Sequence, residues 1–230
     1  MILIVICFCK CSYENTENLA IKEIPEQNKI MIEQPYKGLA LYPYANAIEI
    51  DSLSQIPAKH QFFVNKIINY SMYDFQDNIT FVKGQIIDIE NWLLNDSIKQ
   101  AGFLFQFVLP KYELYFELSD TTIGIKKYCF KIGLDPYGQI TYFDWPKENY
   151  DRRENFINPE AILTLAVKTA KNKGYKTSSY ISSLWHDWRL DKLCWEILFL
   201  QNSSNEYRKI VIDAIKLEVL EEIDVMRMNT

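Results

Sequence analysis

Residues 128–145 read YCFKIGLDPYGQITYFDW, and this stretch decides the fold class. Hydrophobic and polar side chains alternate on both sides of the tetrapeptide Asp-Pro-Tyr-Gly at 135–138. Proline at the second position and glycine at the fourth are typical of a β-turn, and alternation on either side of it is typical of an antiparallel hairpin. We therefore expect an antiparallel sheet built around this hairpin.

Further strands are predicted on both sides of the hairpin. They are residues 80–82, 85–89, 102–110, 111–118, 180–185, 193–200, 207–213 and 219–225. In the segment KYELYFEL at 111–118, Tyr112, Leu114, Phe116 and Leu118 share the face expected to be buried. Glu113, Tyr115 and Glu117 share the other face. The spacing of the two glutamates is too generic to indicate a glycosidase pair, so we interpret both as solvated.

Two helices are predicted from apolar side chains at helical spacing. The first covers 57–71, with Pro57 in its first turn and an apolar stripe made of Phe63, Val64, Ile67, Ile68 and Tyr70. His60 lies at its start and is expected to be solvated. The second covers 159–173, with Asn158 as its cap and Gly174 at its end. Its stripe contains Leu163, Ala166, Val167 and Ala170, which we expect to pack on a sheet containing 193–200 and 207–213.

The order of these elements predicts an α+β fold of two halves, each a helix followed by an antiparallel meander, with a largely antiparallel sheet. The halves are residues 29–150 and 151–230. The highly charged stretch 146–155 lacks apolar periodicity and is interpreted as the connection between them.

Composition limits the classes of function. With 230 residues, of which 48% are hydrophobic and 24% charged, the chain can bury a core without disulfides or metals. The net charge of −5 excludes a basic stripe for nucleic acid. Only 2 histidines and no glycine-rich phosphate loop are present, so no metal and no cofactor are expected. Cys129 and Cys194 lie in apolar runs, and the sequence leaves open whether they pair.

The N-terminus begins with an apolar run over residues 1–9, too short for a membrane-spanning helix of roughly 20 residues. Cys7, Cys9 and Cys11 end the run, and the polar stretch 12–28 reads as a tether. This arrangement resembles a bacterial lipoprotein signal, which implies a leader at 1–11 and lipidation at Cys9 or Cys11. A cleaved leader, a buried N-terminal strand, and a frayed terminus or metal-binding Cys-x-Cys-x-Cys remain alternatives.

The last part of the chain resembles the PepSY and cystatin-like group of small envelope domains. The resemblance rests on Ala166, Ala170 and Gly174 in the helix, on Trp195-Glu196 in CWEILFL, and on Asp213-Ala214 in IVIDAIKLEV. It implies a non-enzymatic binding or inhibitory module of exported bacterial proteins, some of which are associated with peptidases. Leu217 stands where the family closes its last turn with glycine, so that turn is expected to differ.

The densest polar and aromatic cluster is LWHDWRLDKLCWE at 184–196. Trp185 ends an apolar run and is predicted to be core, whereas Trp188 lies among charged residues and is predicted to be exposed. Trp188, His186 and Arg189 are the candidate binding residues. An ordinary hairpin tip is the alternative. His186 beside Asp187 could orient an imidazole for base catalysis, but no motif supplies a nucleophile, so we expect no enzyme.

The predicted function is therefore an exported, lipid-anchored, non-enzymatic binding or inhibitory protein of the bacterial cell envelope. Its partner would be a protein or peptide in the envelope, with the membrane contacted through the lipid anchor alone. A cytosolic immunity protein that neutralises a toxin is the alternative, because such proteins are also small, acidic and aromatic-rich.

Overall fold

The computed structural model describes residues 22–23, 32–33, 47–89, 110–201 and 206–227. Residues 102–109 of the predicted strand at 102–110, the leader at 1–11 and the lipidation candidates Cys9 and Cys11 lie outside these residues. The described part of the chain is α+β, with two helices and two sheets that are antiparallel except for one strand pair. The predicted fold class is confirmed at this level.

Eleven strands are described. They are β1 Lys22–Glu23, β2 Ile32–Glu33, β3 Ala47–Ile50, β4 Ile79–Ile87, β5 Tyr112–Asp120, β6 Ile125–Leu134, β7 Ile140–Phe143, β8 Ser179–Asp187, β9 Lys192–Leu200, β10 Glu206–Asp213 and β11 Val219–Arg227. The N-terminal sheet has the order β2-β6-β5-β4-β3, with β7 also paired to β6. The C-terminal sheet has the order β1-β8-β9-β10-β11.

The predicted hairpin is confirmed as β6 and β7. The pairs Ile132↔Phe143 and Gly133↔Tyr142 set its register. The Asp135 carboxylate accepts hydrogen bonds from the backbone N–H groups of Tyr137 and Gln139, both at 2.8 Å, which fixes the turn. The two short strands predicted at 80–82 and 85–89 are one strand, β4, with a register shift between Phe81 and Lys83.

The second helix, α2 Pro159–Asn172, follows α1 Ala58–Ser71 and packs on β9 and β10, as predicted. The Asn158 side chain accepts a hydrogen bond from the Glu160 N–H at 2.8 Å, which caps the helix. Gly174 ends it in the left-handed conformation with φ +72°. Leu163, Ala166 and Ala170 are buried, and Val167 packs half-buried against the same core.

The apolar stripe predicted for α1 is correct in its centre and wrong at its end. Val64 and Ile68 are buried, but Tyr70 points to solvent. The expectation that His60 is solvated is also wrong, because its residue exposure is 6%. The β6–β7 turn covers it, and its Nε2 lies 3.2 Å from the Pro136 carbonyl oxygen. Pro136 is 76 positions from His60 in the chain, so the sequence around His60 does not indicate this burial.

One continuous core joins the two sheets, and Trp145 lies near its centre with 1% exposure. Four aromatic rings surround the indole at centroid distances of 5.8 to 6.5 Å: Phe75, Tyr128, Phe130 and Phe156. Phe75 precedes the N-terminal sheet strand β4, and Phe156 precedes α2. The core is therefore continuous across the boundary predicted at residue 150.

The charged stretch 146–155 is held against the N-terminal half by Arg153. Its Nε lies 2.5 Å from Oδ2 of the buried Asp120, and its guanidinium also reaches Asn78 Oδ1 at 3.1 Å. The backbone N–H of Arg153 donates to the Asp74 carboxylate at 3.0 Å. Burial alone would raise the pKa of Asp120, but hydrogen bonds from Thr122 and Arg153 outweigh it and lower the pKa.

Glu113 and Tyr115 are not solvated, contrary to expectation. Glu113 is 3% exposed, and its carboxylate accepts hydrogen bonds from Gln85 at 2.5 Å, Tyr142 at 2.6 Å and Tyr115 at 3.2 Å. Gln85 comes from the adjacent strand β4, and Tyr142 comes from β7, which pairs with β6 on the other side of β5. Glu117 is half-buried and pairs with Lys127 at 2.7 Å.

Candidate binding site

The candidate binding residues lie together in the turn between β8 and β9. The last register pair of this hairpin is Asp187↔Lys192, so residues 188–191 form the turn, which we call the tip. Trp188 is 78% exposed and Leu190 is 52% exposed. The predicted exposure of Trp188 is confirmed, and Leu190 is a second exposed apolar residue of the tip that was not among the predicted binding residues.

One buried carboxylate organises the tip. Asp187 Oδ1 accepts hydrogen bonds from the backbone N–H groups of Arg189 at 2.9 Å and Leu190 at 3.4 Å. The Arg189 guanidinium donates to the same carboxylate, with its terminal nitrogen 3.0 Å from Oδ2. The hydrogen bond from Arg189 lowers the pKa of Asp187 against the opposing effect of burial. The Asp187 carboxylate therefore stays ionised and fixes the backbone that carries both exposed apolar side chains.

A second carboxylate holds the other end of the tip. Asp191 adopts φ +50°, a left-handed conformation that Asp tolerates better than most residues. Its Oδ1 lies 3.1 Å from His186 Nε2, and its Oδ2 accepts a hydrogen bond from the Lys147 N–H at 3.3 Å. The tip is thereby attached to the segment that follows the N-terminal sheet.

His186 lies beneath the tip rather than on its surface, since 11% of its side chain is exposed. Asp144, the residue that follows β7, is close to His186. Burial raises the pKa of Asp144, and the charges of Lys131 and His186 act against that rise. His186 therefore supports the tip from a polar junction between the sheets, and Arg189 is the tip's exposed cation.

Trp185 is half-buried and lies outside the main core, so the prediction that it is a core residue is wrong. Tyr180 and Leu184 belong to the core, and Trp185 falls on the opposite face of β8 because side chains alternate along a strand. It stands opposite Cys194 in the register. The apolar run that preceded it in sequence indicated burial but not which face of the sheet it occupies.

The cysteines of the two sheets do not form a disulfide with each other. Burial raises the pKa of Cys194 to about 12 and that of Cys129 to about 11. Thiols with such pKa values remain protonated at neutral pH and are weak nucleophiles. Within the described residues, no group of three or more His, Cys, Asp or Glu side chains is arranged to hold a metal ion.

The turn after β10 is organised by Asp213, whose Oδ1 accepts hydrogen bonds from the N–H groups of Ile215 at 3.0 Å and Lys216 at 3.2 Å. Its Oδ2 lies 2.7 Å from Lys192 Nζ, next to the tip. Leu217 does not adopt a positive φ. The turn therefore closes through the Asp213 side chain, without the left-handed residue that a glycine would supply.

No protein family, curated protein or solved structure matches this chain. Among the described residues, neither helix is long and apolar enough to cross a membrane.

Proposed function

We propose that the protein is a non-enzymatic binding or inhibitory protein that contacts a protein partner through the tip. The observation that carries the proposal is a tryptophan, Trp188, that is 78% exposed on a turn fixed by the buried carboxylate of Asp187 and by Asp191. Tryptophan and arginine are enriched in binding hot spots, and Trp188 stands directly beside Arg189.

The rigidity of the tip supports the same proposal. Binding loses free energy whenever it must order a flexible loop, so a surface that is already fixed binds more tightly than a mobile one. Asp187 and Asp191 hold the tip from its two ends before any partner arrives. An exposed indole on such a turn adds contact area with little loss of conformational entropy.

We expect Trp188→Ala to leave the free energy of unfolding within about 0.5 kcal/mol of wild type, because the side chain is 78% exposed. The same substitution should weaken partner binding by about 2 kcal/mol or more. The measurements are thermal melts and quantitative capture from envelope extract on immobilised protein. Phe62→Ala, which removes another exposed aromatic side chain, is the matched control and should retain capture. Equal capture by wild type and Trp188→Ala would contradict the proposal.

The proposal extends to the cell envelope, where a lipid anchor on Cys9 or Cys11 would place the protein. The apolar run and the cysteine cluster in the sequence support it. We expect the native protein to fractionate with membranes and its intact mass to show loss of the leader and gain of lipid. Of Cys9→Ala and Cys11→Ala, the one that removes the lipidated cysteine should move the protein from the membrane fraction to the soluble fraction. Unmodified full-length protein in the soluble fraction would favour the cytosolic immunity protein instead.

The PepSY or cystatin-like assignment of residues 151–230 belongs to the same proposal. It is supported by the order of elements, a helix ending at Gly174 followed by the four-stranded antiparallel meander β8–β11. The Asp213 turn is consistent with the Asp-Ala element of that group, apart from Leu217.

A further inference from the structure

A groove on the N-terminal half lies between α1 and the β6–β7 turn, remote in sequence from the tip. Its volume is about 440 Å³, and it is open to solvent rather than enclosed. Phe63, Ile67 and Ile140 give it an apolar lining. Tyr70 and Tyr137, which are 77% and 74% exposed, also line it. A volume of this size is within the range of ligand sites, roughly 300 to 1,000 Å³.

Both walls of the groove are fixed relative to each other. The turn is held by Asp135, which accepts hydrogen bonds from the N–H groups of Tyr137 and Gln139. His60 of α1 contacts the Pro136 carbonyl and so joins the helix to the turn. Gly138, at φ +88°, lies against Phe63, where an added Cβ would come within 3.1 Å of the ring. The groove is therefore preformed.

The charge of the groove is opposite to that of the whole chain. Lys59 and Lys66 line it, and none of the described residues that line it is a carboxylate. The sequence of α1, AKHQFFVNKIINYS, contains no acidic residue, although the chain as a whole carries a net charge of −5. A ligand complementary to this surface has apolar side chains and negative charge.

We propose that this groove binds a short acidic peptide segment of a partner protein. An apolar or aromatic side chain of the segment occupies the lining formed by Phe63, Ile67 and Ile140, and its carboxylates face Lys59 and Lys66. The groove is open, and the exposed Tyr70 and Tyr137 extend the available contact surface, which favours an extended chain over a small enclosed acid. This surface is separate from the tip, so the inference does not depend on the proposed function.

The test uses the full chain and a defined probe, the pentapeptide Glu-Leu-Phe-Glu-Glu with acetylated and amidated ends. In ¹⁵N NMR titrations we expect saturable shifts of the Gly138 and Gln139 amides, with a dissociation constant below about 1 mM that rises with salt. The peptide Gln-Leu-Phe-Gln-Gln should bind at least about fivefold more weakly, because it lacks the charges. Lack of saturation by about 5 mM of the acidic peptide would overturn the proposal.

Variants distinguish binding of the peptide in the groove from nonspecific electrostatic attraction of the peptide to the protein surface. Lys66→Glu should weaken binding of the acidic peptide about tenfold, whereas Lys168→Glu, the same charge change on the exposed face of α2, should leave it nearly unchanged. Tyr137→Ala should also weaken it, and Trp188→Ala should not. Equal losses for Lys66→Glu and Lys168→Glu would overturn the proposal, as would equally tight binding of 3-phenylpropanoate, which would indicate a small-acid site.

Discussion

Replacing Trp145 with alanine is expected to lower the free energy of unfolding by about 3–5 kcal/mol, the range for large aromatic truncations in a core. The indole is 1% exposed and is surrounded by four aromatic rings. Among the described residues its Nε1 has no hydrogen-bond partner, so the expected loss is one of packing. In thermal melts of a chain of this size the midpoint should fall by about 10 °C.

Trp188→Ala is the matched control for this result, because it removes the same side chain from the surface. Its midpoint should stay close to that of wild type. Since Trp145 belongs to the core shared by both sheets, unfolding of the variant should remain a single transition seen by near-ultraviolet and far-ultraviolet circular dichroism together. A Trp145→Ala midpoint as high as that of Trp188→Ala would contradict the assignment of Trp145 to the core.

Replacing Arg153 with methionine is expected to lower the free energy of unfolding by about 2–3 kcal/mol, because the buried Asp120 carboxylate loses its cation. The expected loss is below that of a fully buried pair, since 38% of the Arg153 side chain is exposed and Thr122 still donates to Asp120. Urea unfolding measures the change. Arg152→Met is the matched control, because Arg152 pairs with Asp74 at the surface, and its loss should stay below about 1 kcal/mol.

The pH dependence gives the Arg153 prediction a second readout. Asp120 has a lowered pKa in the folded protein, so its contribution to stability is complete above the unfolded value of about 3.9 and is lost as the pH falls through the folded value. The difference in the free energy of unfolding between wild type and Arg153→Met should therefore shrink as the pH falls below about 4. When Asp120→Asn is already present, Arg153→Met should lower the free energy of unfolding much less at neutral pH than it does in wild type. A constant difference across this range would show that Arg153 acts through packing on Phe75 instead.

Elements with local signals could be predicted from sequence. The prediction of the β6–β7 hairpin rested on the Asp-Pro-Tyr-Gly turn at 135–138. The prediction of α2 rested on the cap at Asn158 and on Gly174 at its end. Each signal acts within a few residues of the element it defines, so no tertiary contact is needed to recognise it. The exposure of Trp188 was predictable for the same reason, because its neighbours in sequence are charged.

Two of the failed predictions concern burial caused by distant residues. Glu113 is buried because Gln85 and Tyr142 donate to it, and His60 is buried because the turn at Pro136 covers it. Trp185 shows a different limit, since a continuous apolar run does not indicate which of its residues face the core. The support of the tip by Asp187 was also missed, because a carboxylate two positions from its arginine looks like an ordinary solvated pair in sequence.

The strand β11 ends the C-terminal sheet, and only β10 pairs with it among the described residues. An open strand edge can recruit a strand from another molecule and so start aggregation. This edge carries Glu221, Glu222 and Asp224. A second copy adding to it in antiparallel orientation would bring carboxylates near carboxylates, and like charges opposite each other oppose strand pairing. The acidic side chains of this edge therefore disfavour extension of the sheet by a second copy of the chain.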